Sequence, residues 1–154
     1  MRALHLRQHL PVVTRERRAE VARVTRSVRA WAEACPDVHA VAMVGSWARH
    51  EATMESDLDI VVLTDQKQHR LDDEGWIGVA VGEPATVIRR MKWGPLTERR
   101  VVLASGFEVE LGLATLSWAS TDPLDEGTAG VVRDGCLPLV DPDGILAQLV
   151  RVAR

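Results

Sequence analysis

The sequence predicts a single α+β domain spanning residues 1–154, built as a mixed β-sheet with a long leading helix and a short C-terminal helix. Three observations carry that reading. Apolar residues recur at three- and four-residue spacing over 14–34. Two dense apolar runs follow at 38–44 and 57–63, and a third stretch, 107–113, alternates cleanly between apolar and polar side chains. A chain of this length can bury a real core without disulfides or metal staples.

The leading helix starts at Thr14, a good N-cap, and places Val21, Val24, Val28 and Trp31 on one face. Arg15, Arg18, Arg26 and Arg29 fall outside that stripe as a solvated basic surface. Cys35-Pro36-Asp37 ends the helix. Residues 1–13 mix basic and apolar types without periodicity, and Arg7, Gln8 and His9 interrupt any signal-peptide core.

Val38 to Val44 is nearly all apolar, which predicts a strand covered on both faces. Gly45-Ser46 turns the chain, 47–51 suits a short helix, and 57–63 is the second strand. Residues 64–75 are polar and acidic, a loop or short helix. From Thr86 the pattern is β-like up to the turn Trp93-Gly94-Pro95; a strand is expected at 99–104, a tight turn at Ser105-Gly106, and a strand at 107–113. Residues 118–128 read as loop with a helical turn. Asp134-Gly135 is expected to be a hairpin turn between Val131-Val132 and 137–140, and 145–152 a terminal helix.

Bulk properties narrow the function classes. The formal charge of -3 argues against a general nucleic-acid binder. Cys35 and Cys136 form no metal-ligand spacing and no disulfide framework. No apolar run approaches the ~20 residues that span a bilayer. The expectation is a soluble cytoplasmic protein.

The chemistry concentrates at 41–63. Side chains alternate along a strand, so Asp57 and Asp59 share one face, ~7 Å apart by the strand rise, while Leu58, Ile60 and Val62 face the core. Two adjacent acids at the end of a buried strand call for a cation between them. Gly45 lets backbone approach a phosphate, and Ser46 adds a hydroxyl beside it. Two hard cations ~3.5–4 Å apart would suit in-line phosphoryl transfer. A third carboxylate is expected from another strand; Glu108 and Glu110 share the non-core face of 107–113, and alternation does not choose between them. An isolated Asp-x-Asp is usually a solvated strand end, and it is the upstream Gly-Ser that changes the balance. Asp134, Asp141 and Asp143 sit at Gly or Pro turns, which accounts for them without chemistry.

Gly45-Ser46, a gap of ten residues, then Asp57-Leu58-Asp59 between apolar residues resembles the signature of the DNA polymerase β-like nucleotidyltransferase superfamily. It is most similar to the small bacterial members, the minimal and antibiotic-type nucleotidyltransferase domains. The resemblance implies that Asp57, Asp59 and Glu110 hold two Mg²⁺ ions and carry catalysis, with Glu110 assisting deprotonation of an acceptor hydroxyl and Glu108 its rival. Gly45 and Ser46 match the residues that hold the β- and γ-phosphates of the NTP, and Arg49 is placed to reach them. Family members often carry glycine where this chain has His50. The implied reaction moves an NMP, AMP first, from an NTP such as ATP to a hydroxyl of a small molecule or protein and releases pyrophosphate. Trp76, Trp93 and Trp118 could line an acceptor cleft, although packing is the expected role of at least two. The alternative is a non-catalytic module of the same fold, an antitoxin-like partner of a toxin protein; a homodimer is compatible with either. A glycosyltransferase reading of Asp57-Leu58-Asp59 leaves Gly45-Ser46 unexplained.

Overall fold

A computed structural model describes residues 12–154; the expectations for residues 1–11 lie outside the described residues. Helix α1 (Arg15–Ala34) begins where the Thr14 hydroxyl accepts a hydrogen bond from the Arg17 N–H at 3.1 Å. Its buried stripe includes Val21, Val24, Val28 and Trp31, as the spacing predicts.

Six strands form one sheet: β1 (Val38–Val44), β2 (Leu58–Thr64), β3 (Thr86–Trp93), β4 (Leu96–Val102), β5 (Glu108–Ala114) and β6 (Cys136–Val140). Their spatial order is β3-β4-β5-β2-β1-β6, with β2 and β5 parallel and every other pair antiparallel. The parallel pairing is the step that brings a late strand beside the Asp-Leu-Asp strand.

Each face of the sheet has its own core. Leu58, Ile60 and Val62 join Phe107, Val109, Leu111 and Leu113 against α1 and the short helix α3 (Trp76–Val81), where Trp31 and Trp76 stack at 5.0 Å. Helix α2 (Lys67–Asp72) precedes α3. On the opposite face Ala40, Ala42, Val44, Val61 and Leu63 pack under α4 (Glu126–Arg133), α5 (Ile145–Ala153) and a 3₁₀ turn at Leu116–Ala119. This second core is drawn mainly from β1 and β2, so on the same face of β4 and β5 Leu96, Arg100, Glu108, Glu110 and Gly112 are only partly covered.

Several elements depart from expectation. Residues 47–51 are successive turns and not a helix: the Gly45 carbonyl accepts from both Ala48 N–H and Arg49 N–H, at 3.0 and 3.2 Å. Helix α3 lies in a stretch for which the sequence pattern predicts no element; Gly78 and its β-branched valines lower the helix propensity, and burial of Trp76, Ile77, Ala80 and Val81 outweighs that. Strand β4 begins earlier than expected, at Leu96. Asp134-Gly135 does not turn a hairpin. Val131 and Val132 belong to α4, whose N-cap Asp125 accepts from Thr128 N–H at 2.9 Å, and β6 pairs with β1 instead. No helix among the described residues is long and apolar enough to cross a membrane.

Candidate active site

Asp57 lies immediately before β2 and Asp59 is its second residue. In the parallel register Asp59 is opposite Glu110, and in the antiparallel register of β4 and β5 Glu110 is opposite Arg100. Three strands therefore deliver Asp59, Glu110 and Arg100 side by side on the partly covered face. Glu98, two residues before Arg100, joins them.

Asp59 runs directly beneath the Gly45 turn. A Cβ placed on Gly45 would lie 2.5 Å from Asp59 Oδ2, and the glycine has φ +77°, so both space and backbone demand the absence of a side chain. The turn is tied to the α4–β6 junction. Gly45 N–H donates to the Gly135 carbonyl at 3.3 Å, and Arg49 Nη1 donates to the Asp134 carbonyl at 3.2 Å. Gly135 itself leaves no room, since a Cβ there would sit 3.0 Å from the Gly45 oxygen. Arg49 Nε also donates to Glu51 at 3.0 Å, so its guanidinium braces the turn. His50 has φ +60°, which explains why glycine suits this position and why its side chain is tolerated at a cost.

The acids are neutralised by two arginines. Arg100 donates through Nη1 to Asp57 and, at 3.1 Å, to Glu108, and through Nη2 to Glu110. Arg89 Nη2 donates to Glu98 at 2.8 Å and to Glu110 at 3.2 Å, while Trp93 Nε1 donates to Glu98 at 3.0 Å. Asp59 is different: its Oδ1 is buried without a hydrogen-bond partner. Burial raises the Asp59 pKa. Burial likewise pushes Glu110 up to about 9, helped by the neighbouring Glu98 and Asp59 carboxylates. Glu98 is held down to about 2: burial opposes ionisation, but the neighbouring Glu110 and the hydrogen bonds from Arg89 and Trp93 prevail.

The donor chemistry fits a hard divalent cation, because the acids offer carboxylate oxygens and Asp59 Oδ1 is a buried acceptor left without a partner. The arrangement is not yet that of a finished site. Among the described residues no group of three His, Cys, Asp or Glu side chains stands ready to hold a metal, and Arg100 is interleaved among the acids. Glu110 faces Asp59 across the strand pairing, whereas Glu108 lies further out, its side chain 37% exposed against 26% for Glu110.

A small cavity of about 80 Å³ adjoins the acids, lined by Asp59, Glu98, Glu110, Trp93, Leu96 and Gly112 among others. Of the three tryptophans considered for a cleft, Trp93 borders the cavity, 56% exposed, while Trp76 and Trp118 are buried in the two cores, the packing role expected of at least two. Sequence reading missed Arg100, Glu98 and Gly135. The alternation Glu98-x-Arg100 was visible, but its partner strand was not.

A family model described as a nucleotidyltransferase domain matches residues 25–108, more than half of the chain. No curated protein matches. Among solved structures, a Cid1 poly(U) polymerase with Mg and 3'-dATP bound is 16% identical, with TM-score 0.52, over 71% of this chain and 35% of that one. A second Cid1 structure, described through its RNA terminal uridylyl transferase activity, is 15% identical with TM-score 0.50 over 71% and 34%. These likenesses show the fold, and the chain spans about a third of the length of those proteins.

Proposed function

The chain belongs to the nucleotidyltransferase domain family, and from that premise we propose a metal-dependent transfer of a nucleoside monophosphate from an NTP to an acceptor hydroxyl, with release of pyrophosphate. The observation that carries this reading is the pairing of Asp59 with Glu110 across β2 and β5 beneath a glycine turn that no side chain can fill.

In this reading Asp57 and Asp59 hold Mg²⁺, with Glu110 as the third carboxylate. Mg²⁺ bound there supplies positive charge that activates the acceptor hydroxyl and favours ionised carboxylates. The Gly45 turn, held by Gly135, brings the Ser46 backbone N–H and hydroxyl to the triphosphate. Arg49 keeps that turn in place through Asp134 and Glu51. Glu110 is the candidate base or third ligand; burial favours its neutral form, and the Arg100 and Arg89 contacts oppose that. Trp93 and the adjoining cavity offer one wall for the acceptor. ATP is the first choice of donor, and UTP belongs beside it because fold neighbours are described as uridylyl transferases.

A second reading is a non-catalytic, antitoxin-like binding module. Arg100 favours it, since a guanidinium already compensates Asp57, Glu108 and Glu110. Incubation with α-labelled NTPs, Mg²⁺ and a panel of small-molecule, protein and RNA acceptors, alongside Asp57→Ala, separates the two. Label transfer by the wild type alone supports the enzyme. No transfer across the panel, with intact binding to a partner protein, supports the module.

A further inference from the structure

Arg100 holds a position that the transferase reading leaves unexplained. It contacts three of the acids, Asp57, Glu108 and Glu110, which come from two different segments. Glu98 does not depend on it: Arg89 and Trp93 saturate that carboxylate, and Arg100 Nε approaches it only to 3.7 Å. Arg100 Nε is itself buried without a hydrogen-bond partner. The guanidinium is thus held by the acids it bridges, through its two terminal nitrogens, and its inner nitrogen is not anchored to its own strand. Its side chain is 18% exposed. Like charges crowded at this density need a counter-ion, and a planar fork that reaches several carboxylates supplies one.

We propose that Arg100 is a built-in counter-ion for the carboxylate cluster: it holds Asp57 and Glu110 together in the metal-free protein and yields these oxygens when a divalent cation binds. The guanidinium and the cation compete for the same ligands. This rests on the reading of Asp57, Asp59 and Glu110 as metal-holding residues. Two consequences follow. The cluster is preassembled, which spares the fold the repulsion of unpaired acids, and metal affinity without nucleotide is kept low, because each cation must displace a charge-assisted contact.

The test is calorimetric titration of Mn²⁺ into the nucleotide-free protein, with melting temperatures in EDTA and in saturating Mn²⁺. Arg100→Gln is expected to bind Mn²⁺ about tenfold more tightly than wild type, the equivalent of one charge-assisted hydrogen bond removed as competitor. It should melt lower than wild type in EDTA, and Mn²⁺ should close that gap. Arg100→Lys keeps the charge but loses the fork; it is the variant that keeps the fold if Arg100→Gln does not, and its affinity should fall between the two. Unchanged or weaker Mn²⁺ binding in both variants overturns the proposal. Asp57→Asn separates the two failures. If it abolishes Mn²⁺ binding while the Arg100 variants bind as wild type, the metal site stands and the counter-ion role is wrong. If wild type and Asp57→Asn bind Mn²⁺ equally, or no protein binds it, Arg100→Gln included, the site reading itself fails and takes the counter-ion role with it.

Discussion

Asp59 and Glu110 stand opposite each other across the parallel strands β2 and β5, and Asp59 fits under Gly45 only because Gly45 has no side chain. The relationship links residues 51 positions apart in sequence and depends on one crossover that lays β5 against β2.

The carboxylates should not be interchangeable. Glu110→Gln is expected to lower transfer by roughly 100-fold or more, the scale on which metal-site partners act, while Glu108→Gln stays within a few-fold of wild type. Steady-state rates for both variants, with circular dichroism to confirm folding, check this. Equal losses would make Glu108 an equal partner.

Gly45→Ala should damage stability and activity together. The added Cβ meets Asp59 Oδ2 at 2.5 Å in a left-handed backbone, a combination worth roughly 1–3 kcal/mol. Denaturant unfolding reads the loss directly. A Gly45→Ala protein as stable as wild type would mean that the turn and Asp59 are not in contact.

How much of this was readable beforehand follows from range. The 41–63 motif needed only neighbours in sequence: apolar runs set two strands, and alternation put Asp57 and Asp59 on one face. Helix α1 and the outward face of β5 were legible for the same reason. What stayed hidden depends on which strands meet. Arg100 looked like one more arginine on a β-like stretch until the β4–β5 register set it against Glu110. Asp134-Gly135 carries a hairpin signature, yet Gly135 follows α4 and supports the Gly45 turn, a contact no local pattern encodes. The 47–51 segment likewise had the composition of a helix but is held in turns by the Gly45 and Ser46 carbonyls.

Away from the site, Asp37 should contribute to the acid limb of stability. It accepts two hydrogen bonds from Arg70, at 2.7 and 3.0 Å, and one from Thr64 at 2.7 Å. The Arg70 contact holds its pKa below the ordinary 3.8. A depressed folded pKa contributes stability that is present above about pH 3.8 and is lost as pH falls through the lower folded value. Asp37→Asn is expected to cost about 2 kcal/mol at pH 7 and to flatten the loss of melting temperature as pH falls below about 3.8. An unchanged acid slope would show that other carboxylates control it.

Trp93→Ala should act on the acceptor side. The indole is 56% exposed, lines the cavity next to Asp59 and Glu110, and is not in either core. Once an acceptor is found, its KM is expected to rise about tenfold, in the range for loss of one aromatic contact, with the KM for NTP unchanged. A rise in the NTP KM alone would place Trp93 on the donor side.

The account rests on Asp59 as a metal-holding carboxylate. The most direct measurement is pyrophosphate release from ATP and UTP by wild type and Asp59→Asn, each in Mg²⁺ and in EDTA, with an acceptor mixture present. Release by the wild type in Mg²⁺ only, and by Asp59→Asn in neither condition, is the result expected here. Release that persists in EDTA, or in Asp59→Asn at the wild-type rate, would contradict it.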